Sequence, residues 1–483
     1  MPSIAEIRSA IADRDAEMRE LSRREPLIPR EMVLPPGHPA LGMASVITGP
    51  RRAGKSVCSY QTASRFDRFV YVNFEDERLE MPGTELNKVL EAAHGFRGKF
   101  DTLVLDEIQN IRGWERFVAR IVPTIRVIVT GSNARLMSRE LATFLTGRHM
   151  DHRLFPFSFR EFLVRKGSPV AREDLAVTRT RAETYRSLEE YLKIGGFPQA
   201  STAGAPYLAE LYRDVLERDI VSRYRVRDIS KLREVARFLV SNYAAEITYQ
   251  RLNHAFEVRG THTVANWMRY LESAYLLFEL NRFSYQLKEQ FRAPRKLYCI
   301  DTGMVNAVAF ASSSNAGRLL ENLVAVELQR RRSYWEPDLE VFYWKDHGQR
   351  EVDFVLKQGR AVRQLLQVTR ISDRLELDPR ELEALTRAGE ALRCDRLTVL
   401  TWDLEDELRS DGKRIELRPV VDWLLDVPGG RSRKRPPSTA GPHPAREEPL
   451  PLGPAPAGRK VPAGQETHRA LWPLLQCGPT KPS

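Results

Sequence analysis

Short apolar runs recur through the first third of the chain. MASVITG (43–49), FVYVNFED (69–76), TLVLDEIQ (102–109) and RVIVTGSN (126–133) are rich in β-branched residues. Segments with helical spacing separate them, WERFVARIV (114–122) among these. Strands alternating with helices predict a parallel α/β sheet. Ahead of it, residues 1–30 form a polar helical pattern that ends near Pro26.

Between 157 and 290 the spacing is mostly helical. SFREFLVR, AETYRSLEEYLKIGG, YLAELYRDVLERDIV, KLREVARFLVSNYAAE and TVANWMRYLESAYLLFEL repeat apolar residues every three or four positions. Beyond Gly317 the order becomes helix (RLLENLVAVELQRRR), hairpin (LEVFYWKDHGQREVDFVL), strand (RQLLQVTR), helix (RELEALTRAGEAL) and strand (RLTVLTWD). No internal repeat is found. From Gly430 the periodicity stops, and twelve of the 30 prolines fall in 431–483. Such a segment buries too little apolar surface to offset its ordering entropy, so it reads as a disordered tail.

The 483 residues are 42% apolar and 29% charged. That is ordinary for a globular protein, and the length is a prior of roughly three domains. No stretch approaches the ~20 apolar residues of a membrane span. The N-terminus lacks the apolar core of a secretory signal. Cys58, Cys299, Cys394 and Cys477 show no CxxC spacing, and the nine histidines show no HExxH. Neither a disulfide framework nor a zinc site is expected, and a cytoplasmic location fits. The net charge of +11 suggests a polyanionic partner. The tail, however, holds nine Lys or Arg and three Asp or Glu. Subtracting its +6 leaves +5 for everything before it.

Gly49-Pro50-Arg51-Arg52-Ala53-Gly54-Lys55-Ser56 fits G-x-x-x-x-G-K-[ST], with a strand before it and a helical stretch after it. The glycines let N–H groups turn inward around phosphate oxygens, and the helix N-terminus adds partial positive charge. Residues 49–57, ending at Val57, are thus the expected phosphate cradle. Lys55 is expected on the β- and γ-phosphates, and the Ser56 hydroxyl on Mg²⁺. TLVLDE places Asp106 at a strand end as a second Mg²⁺ ligand, and Glu107 follows to polarise the attacking water. Ser132 and Asn133 end the next strand, with Asn133 as the γ-phosphate contact. Arg148, after Gly147, is a candidate to stabilise phosphoryl charge, in cis or from a neighbouring subunit. Taken singly, these elements have bland readings: a glycine turn, a solvated loop start, a plain turn, a surface Arg. ATP and Mg²⁺ are the expected ligands, with ATP chosen over GTP by fold analogy.

These residues resemble a family of prokaryotic AAA-type P-loop ATPases fused to a C-terminal module of uncharacterised function. The matching stretches are GPRRAGKS (49–56), LDEIQ (105–109), GW (113–114), TGSN (130–133), GR (147–148), PFSFREFL (156–163), GGFP (195–198), DI (219–220), LE (271–272), YCIDTG (298–303), ENLVAVEL (321–328) and EVDFVL (351–356). The resemblance covers about residues 30–427. It implies an α/β P-loop (RecA/AAA-like) parallel-sheet domain, then a mostly helical winged-helix-like domain, then an α/β restriction-endonuclease-like domain. The expected division is 1–30 (N-terminal helical segment), 31–155 (P-loop ATPase core), 156–310 (winged-helix-like), 311–427 (restriction-endonuclease-like) and 428–483 (disordered basic tail).

In the middle segment, Thr261 to Arg269 would form the recognition helix of a helix-turn-helix, with ELNRF and KLYCI as wing strands. It holds a single Arg, so a helical packing domain that couples the ATPase to the C-terminus is an equal reading. The dense basic stretch from Arg218 to Arg237 is interleaved with Glu and Asp and reads as a solvated helix face.

The nuclease-like order is Glu321, Asp353, then Gln367 where the fold carries Glu-x-Lys. Gln367 brings no charge and Thr369 replaces the Lys. Binding without hydrolysis is therefore expected, with Arg370 or Lys357 as a substitute cation in the alternative. The overall expectation is an ATP-binding, Mg²⁺-dependent AAA-type ATPase that couples nucleotide state to DNA-associated C-terminal modules, with nuclease activity lost. The alternative is a nucleotide-dependent switch that binds a protein partner and no nucleic acid. A homo-oligomer stays open, and no membrane partner is expected.

Overall fold

The computed structural model describes residues 1–24, 26–34, 42–132, 145, 147–310 and 316–428. Asn133 and the tail from 429 onward lie outside the described residues.

The four apolar runs become strands β1 (Ala44–Thr48), β2 (Phe69–Asn73), β3 (Thr102–Asp106) and β4 (Arg126–Gly131). With β5 (His149–Arg153) they form an all-parallel sheet in the order β2-β3-β4-β1-β5. Successive side chains of a strand face opposite ways. Val46, Val70, Val72, Leu103, Leu105, Val127 and Val129 fill the core on one face. Ile47, Tyr71, Val104 and Ile128 fill the core on the other. Two apolar faces are why these strands read as unbroken apolar runs. Helices α1 (Ile4–Arg24), α2 (Lys55–Ala63), α3 (Asn87–Arg97) and α4 (Trp114–Ile121) cover the sheet. The N-terminal helix is part of this packing: Ile7, Ala10 and Ile11 enter the first core and Met18 the second.

A helical stretch follows: α5 (Phe159–Arg165), α6 (Thr178–Ile194), α7 (Ala200–Asp214), a π-helical segment Val215–Ser222, and α8 (Ile229–Ser241). Next come β6 (Ala245–Ile247), α9 (Tyr249–Ala255), α10 (Thr261–Ser273), β7 (Leu277–Asn281), α11 (Leu287–Arg292), β8 (Arg295–Cys299) and α12 (Thr302–Val308). The three strands pair antiparallel in the order β6-β8-β7.

The remainder is α13 (Ala316–Tyr334), β9 (Leu339–Lys345), β10 (Glu351–Gln358), β11 (Ala361–Val368), α14 (Pro379–Ala391), β12 (Leu397–Thr401), β13 (Asp406–Ser410), β14 (Lys413–Pro419) and α15 (Val420–Leu425). They build a mixed sheet in the order β13-β14-β12-β11-β10-β9, antiparallel from β9 to β11 and parallel at β11–β12 and β12–β14.

Buried polar contacts tie these parts together. Ser158 and Glu161 form a capping box at the start of α5. Asp301 caps α12 by accepting the Met304 N–H at 2.9 Å, and it also accepts the Gly196 N–H at 2.7 Å. A Cβ on Gly195 would lie 2.1 Å from the Asp301 Oδ1, so only glycine fits there. Arg160 donates to Glu31 (3.0 Å), to Glu327 (2.8 Å) and to the Leu424 carbonyl. Arg330 and Arg331 flank the same Glu327. Three guanidiniums outweigh burial there and hold Glu327 down at about 2.

Candidate active site

The loop between β1 and α2 turns sharply at Gly49, whose φ is 147°. A Cβ at Gly49 would sit 2.2 Å from the Leu154 carbonyl oxygen, so the loop's first residue packs directly on the chain leaving β5. Gly54, at φ 96°, opens α2. Between them Ala53 is buried, Arg52 is exposed with φ 65°, and Arg51 is half-buried. Lys55, 4% exposed, donates to the carbonyls of Gly49 (3.3 Å) and Pro50 (3.1 Å). Its Nζ also lies 3.5 Å from the Glu107 carboxylate. Ser56 and Val57 follow on the first turn of α2, partly buried.

Asp106 ends β3 and is buried. Its carboxylate accepts the Tyr71 hydroxyl at 2.6 Å, the Thr130 hydroxyl at 2.5 Å and the Ser56 hydroxyl. Burial and the adjacent Glu107 push its pKa up, against these three donors. Thr130 also accepts the Glu107 N–H at 3.0 Å and so braces both acidic residues. Glu107 has φ 52°, an uncommon left-handed conformation for this side chain. The turn sends two consecutive carboxylates to different places, Asp106 to Ser56 and Glu107 to Lys55. Burial alone would raise Glu107, but Lys55, the Gln109 amide and Arg51 pull it below its ordinary value. It is held as a carboxylate. The buried Ser132 hydroxyl lies beside it and also favours the carboxylate.

These groups suit a nucleotide with a divalent cation. Ser56 and Asp106 offer adjacent hard oxygens, Lys55 a buried ammonium, and Ser132 a buried hydroxyl. Arg148 is elsewhere. Its carbonyl accepts the Ala44 N–H at 2.8 Å, at the N-terminal end of β1. Five strand residues, about 15 Å at the usual rise, separate it from the loop at the other end. The Arg148 backbone thus lies at the end of the sheet opposite the phosphate loop.

Three supports had no signal in the local motif. Arg30, fully buried, donates to Glu161 (3.0 Å), to the Ala53 carbonyl (2.9 Å) and to the Phe155 carbonyl (2.6 Å). It props the phosphate loop from behind. Tyr71 and Thr130 are polar residues inside apolar strands, and that oddity was the only available hint. Arg51 reaches across to Asp219 in the π-helical segment, at 3.1 and 3.3 Å, and to Glu75 at 3.4 Å. Asp219 belongs to the DI pair of the resemblance, which gave its position but not its partner.

At the C-terminal sheet Gln367 meets the Asp353 backbone, and Glu321 of α13 is joined to Asp353 through Lys296. The Gln367 Oε1 accepts the Asp353 N–H at 3.3 Å, and the other Asp353 oxygen accepts the Val368 N–H at 3.0 Å. Lys296 of β8 stands between the carboxylates. Its ammonium lies 2.8 Å from Glu321, 2.8 Å from Asp353 and 2.6 Å from Glu351. Tyr298 adds a hydrogen bond to Glu321 at 2.7 Å. Burial and Asp353 push Glu321 up to about 7, with Lys296 opposing. The cations sought by sequence are engaged elsewhere: Lys357 pairs with Glu340, and Arg370 pairs with Glu189 and stacks on Trp402.

Residues 42–163 match an AAA domain, 185–315 a domain of unknown function (DUF8612) and 316–413 another (DUF4143). The first part is therefore an AAA-type nucleotide-binding domain with the P-loop ATPase fold. An uncharacterized protein of Methanocaldococcus jannaschii, MJ1544, is 33% identical over 399 residues, which cover 79% of this chain and 88% of that protein. An uncharacterized protein of Haemophilus influenzae is 26% identical over 402 residues, 79% of this chain and 94% of that one. Among solved structures, a DNA replication initiation factor aligns at 14% identity and a TM-score of 0.21, over 55% of this chain and 88% of that one. Cdc6p from Pyrobaculum aerophilum aligns at 13% identity and the same score, over 56% and 88%. Likeness at that score carries no further weight. Among the described residues, no helix is long and apolar enough to cross a membrane. The chain belongs to the family of the M. jannaschii MJ1544 protein, and within it carries an AAA domain followed by two domains of unknown function.

Proposed function

We propose that the protein is a Mg²⁺-dependent ATPase whose nucleotide state is passed to its C-terminal domains. The observation that carries this is the meeting of Lys55, Ser56, Asp106 and Glu107 at one glycine loop. Residues 49–57 hold the phosphates through backbone N–H groups. Lys55 leaves Glu107 and the Gly49 and Pro50 carbonyls for the β- and γ-phosphates. Glu107, released and still ionised, orients the attacking water and takes its proton. Ser56 and Asp106 hold Mg²⁺, which when bound neutralises phosphate charge. Arg148, and Asn133 beyond the described residues, complete the expected set, with Arg148 serving a neighbouring copy in a homo-oligomer.

The Arg51–Asp219 pair is the route from the loop to the helical domain. Residues 31–155 are the ATPase core, 156–310 a winged-helix-like domain and 311–427 a restriction-endonuclease-like domain. Helices α9 and α10 followed by β7 and β8 support the winged-helix reading. Arg259, His262 and Arg269 are exposed there and could meet DNA phosphates. The helix, antiparallel meander, helix and parallel strand from α13 to β12 support the nuclease-like reading. With Lys296 inside the carboxylate cluster, that domain does not cleave. A second reading, a switch that binds a protein, is favoured by Tyr285, Leu287 and Phe291, each about two-thirds exposed between β7 and β8.

The test is ATP hydrolysis by the purified full chain, with and without single- and double-stranded DNA. Lys55→Ala should lose turnover. Glu107→Gln should keep ATP binding and lose turnover by about 10²–10⁴-fold. Unchanged phosphate release in both variants refutes the ATPase. DNA stimulation supports the first reading of the partner. ATP-dependent protein capture without DNA stimulation supports the second.

A further inference from the structure

A cavity of about 740 Å³ opens where the three parts of the fold meet. That is the size range of small-ligand sites. The AAA sheet contributes Thr48, Arg153 and Phe155; α10 and the turn after it contribute Arg269, Glu272 and Tyr275; α13 contributes Arg332. Thr48 directly precedes the phosphate loop, so the cavity backs onto the nucleotide site without being part of it.

Its charge is uneven. Arg153, Arg269 and Arg332 are all exposed, and none makes an ion pair among the described residues. Elsewhere in this fold exposed arginines commonly find a carboxylate, as Arg179 and Arg233 do. Arg153 stacks on Tyr275 at 5.1 Å, and Arg269 donates to the neutral Asn266. Two carboxylates share the lining. Asp151 faces His149 at 3.6 Å. Burial, then Glu279, pushes Glu272 up to about 7, with Arg295 and Arg153 opposing. Three guanidiniums therefore outnumber the two carboxylates that share the space with them. Guanidinium forks match phosphate oxygens in geometry as well as charge. Phe155, Tyr275 and Phe278 give one wall an apolar surface for the rest of such a molecule.

We propose that this cavity binds a small polyphosphate-bearing anion, separately from the phosphate loop, and that the ligand ties β5 to α10 and α13. A nucleic-acid backbone offers the same phosphate chemistry, so the test distinguishes the two sources. Inorganic tripolyphosphate and a 20-base-pair duplex are each titrated calorimetrically into the full chain carrying Lys55→Ala, which weakens phosphate binding at the loop. Tripolyphosphate should bind. Adding Arg153→Ala, Arg269→Ala and Arg332→Ala should weaken it by about tenfold or more, the equivalent of ~1.4 kcal/mol. Glu272→Gln should tighten it, a gain that misfolding does not produce. An affinity unchanged by the three arginine substitutions overturns the proposal. So does binding of the duplex alone, or a Glu272→Gln variant that binds no better. Failure of the ATPase reading leaves this outcome untouched, because turnover is not measured.

Discussion

Replacing Lys296 with Met strands three carboxylates around an apolar side chain. In the intact fold its ammonium is 3% exposed and within 2.8 Å of Glu321, Asp353 and Glu351. Removing one partner of a buried ion cluster costs about 3–5 kcal/mol. An unfolding entropy of ~2.1 cal/mol/K per residue amounts to roughly 0.9 kcal/mol/K for a unit the size of Met1–Gly430. The melting temperature at pH 8 should therefore fall by about 3–6 °C. The loss should shrink with acid. Glu321 stands at about 7 in the fold against an ordinary 4.5, so the folded state binds its proton first. A carboxyl raised in this way loses stability as pH climbs from 4.5 towards 7 and regains it as pH falls. Without Lys296, Glu321 is raised further, and its protonation near pH 5 removes part of the uncompensated charge. Differential scanning calorimetry of both proteins at pH 5 and pH 8 measures this. Lys296→Met with Glu321→Gln and Asp353→Asn should recover most of the pH 8 loss. An equal loss at both pH values, or none at pH 8, refutes the assignment of Lys296 as the internal counter-ion.

Arg30→Ala leaves Glu161 buried without its cation and the Ala53 carbonyl without its donor. It should cost about 3–5 kcal/mol in thermal unfolding and weaken ATP binding as well; an unchanged melting temperature would count against the brace. Tyr71→Phe removes a donor from Asp106, worth about 1.5–3 kcal/mol for a charged acceptor. The Mg²⁺ concentration at half-maximal turnover should rise about tenfold, and a flat response would exclude a role for Tyr71 in shaping that carboxylate. Asp219→Asn weakens the hold on Arg51. Freed Arg51 should turn to the phosphates and tighten ATP binding several-fold, about 1 kcal/mol; weaker binding would show that Asp219 organises the loop instead of restraining it.

The strands β1 to β4 were legible because both faces of the sheet are buried, which writes a parallel strand as a continuous apolar run. Strand β5, HMDHR, has one hydrogen-bonded neighbour and a half-exposed surface, so no run marks it. Lys55, Ser56, Asp106 and Glu107 were legible because phosphate binding imposes a fixed local spacing. Arg30, Tyr71, Asp219 and Lys296 act across long sequence gaps, and no local period encodes such contacts. The sequence around Gln367 offers Lys357 and Arg370, but the cation among the carboxylates is Lys296 of β8, 57 residues before Asp353. A Gly-Arg pair such as Gly147-Arg148 likewise carries no information about which end of the sheet it occupies.

The Arg160 junction sets an order of events during synthesis. Its guanidinium meets Glu31, which is made before it, but Glu327 follows 167 residues later and the Leu424 carbonyl 264 residues later. At about 5–20 residues per second, the last partner leaves the ribosome roughly 13–50 s after Arg160 itself. All five strands of the AAA sheet precede Leu154 and can assemble in that interval. The nascent chain thus carries a finished nucleotide-binding sheet beside an arginine still hydrated by water, and the junction closes only when translation is nearly over.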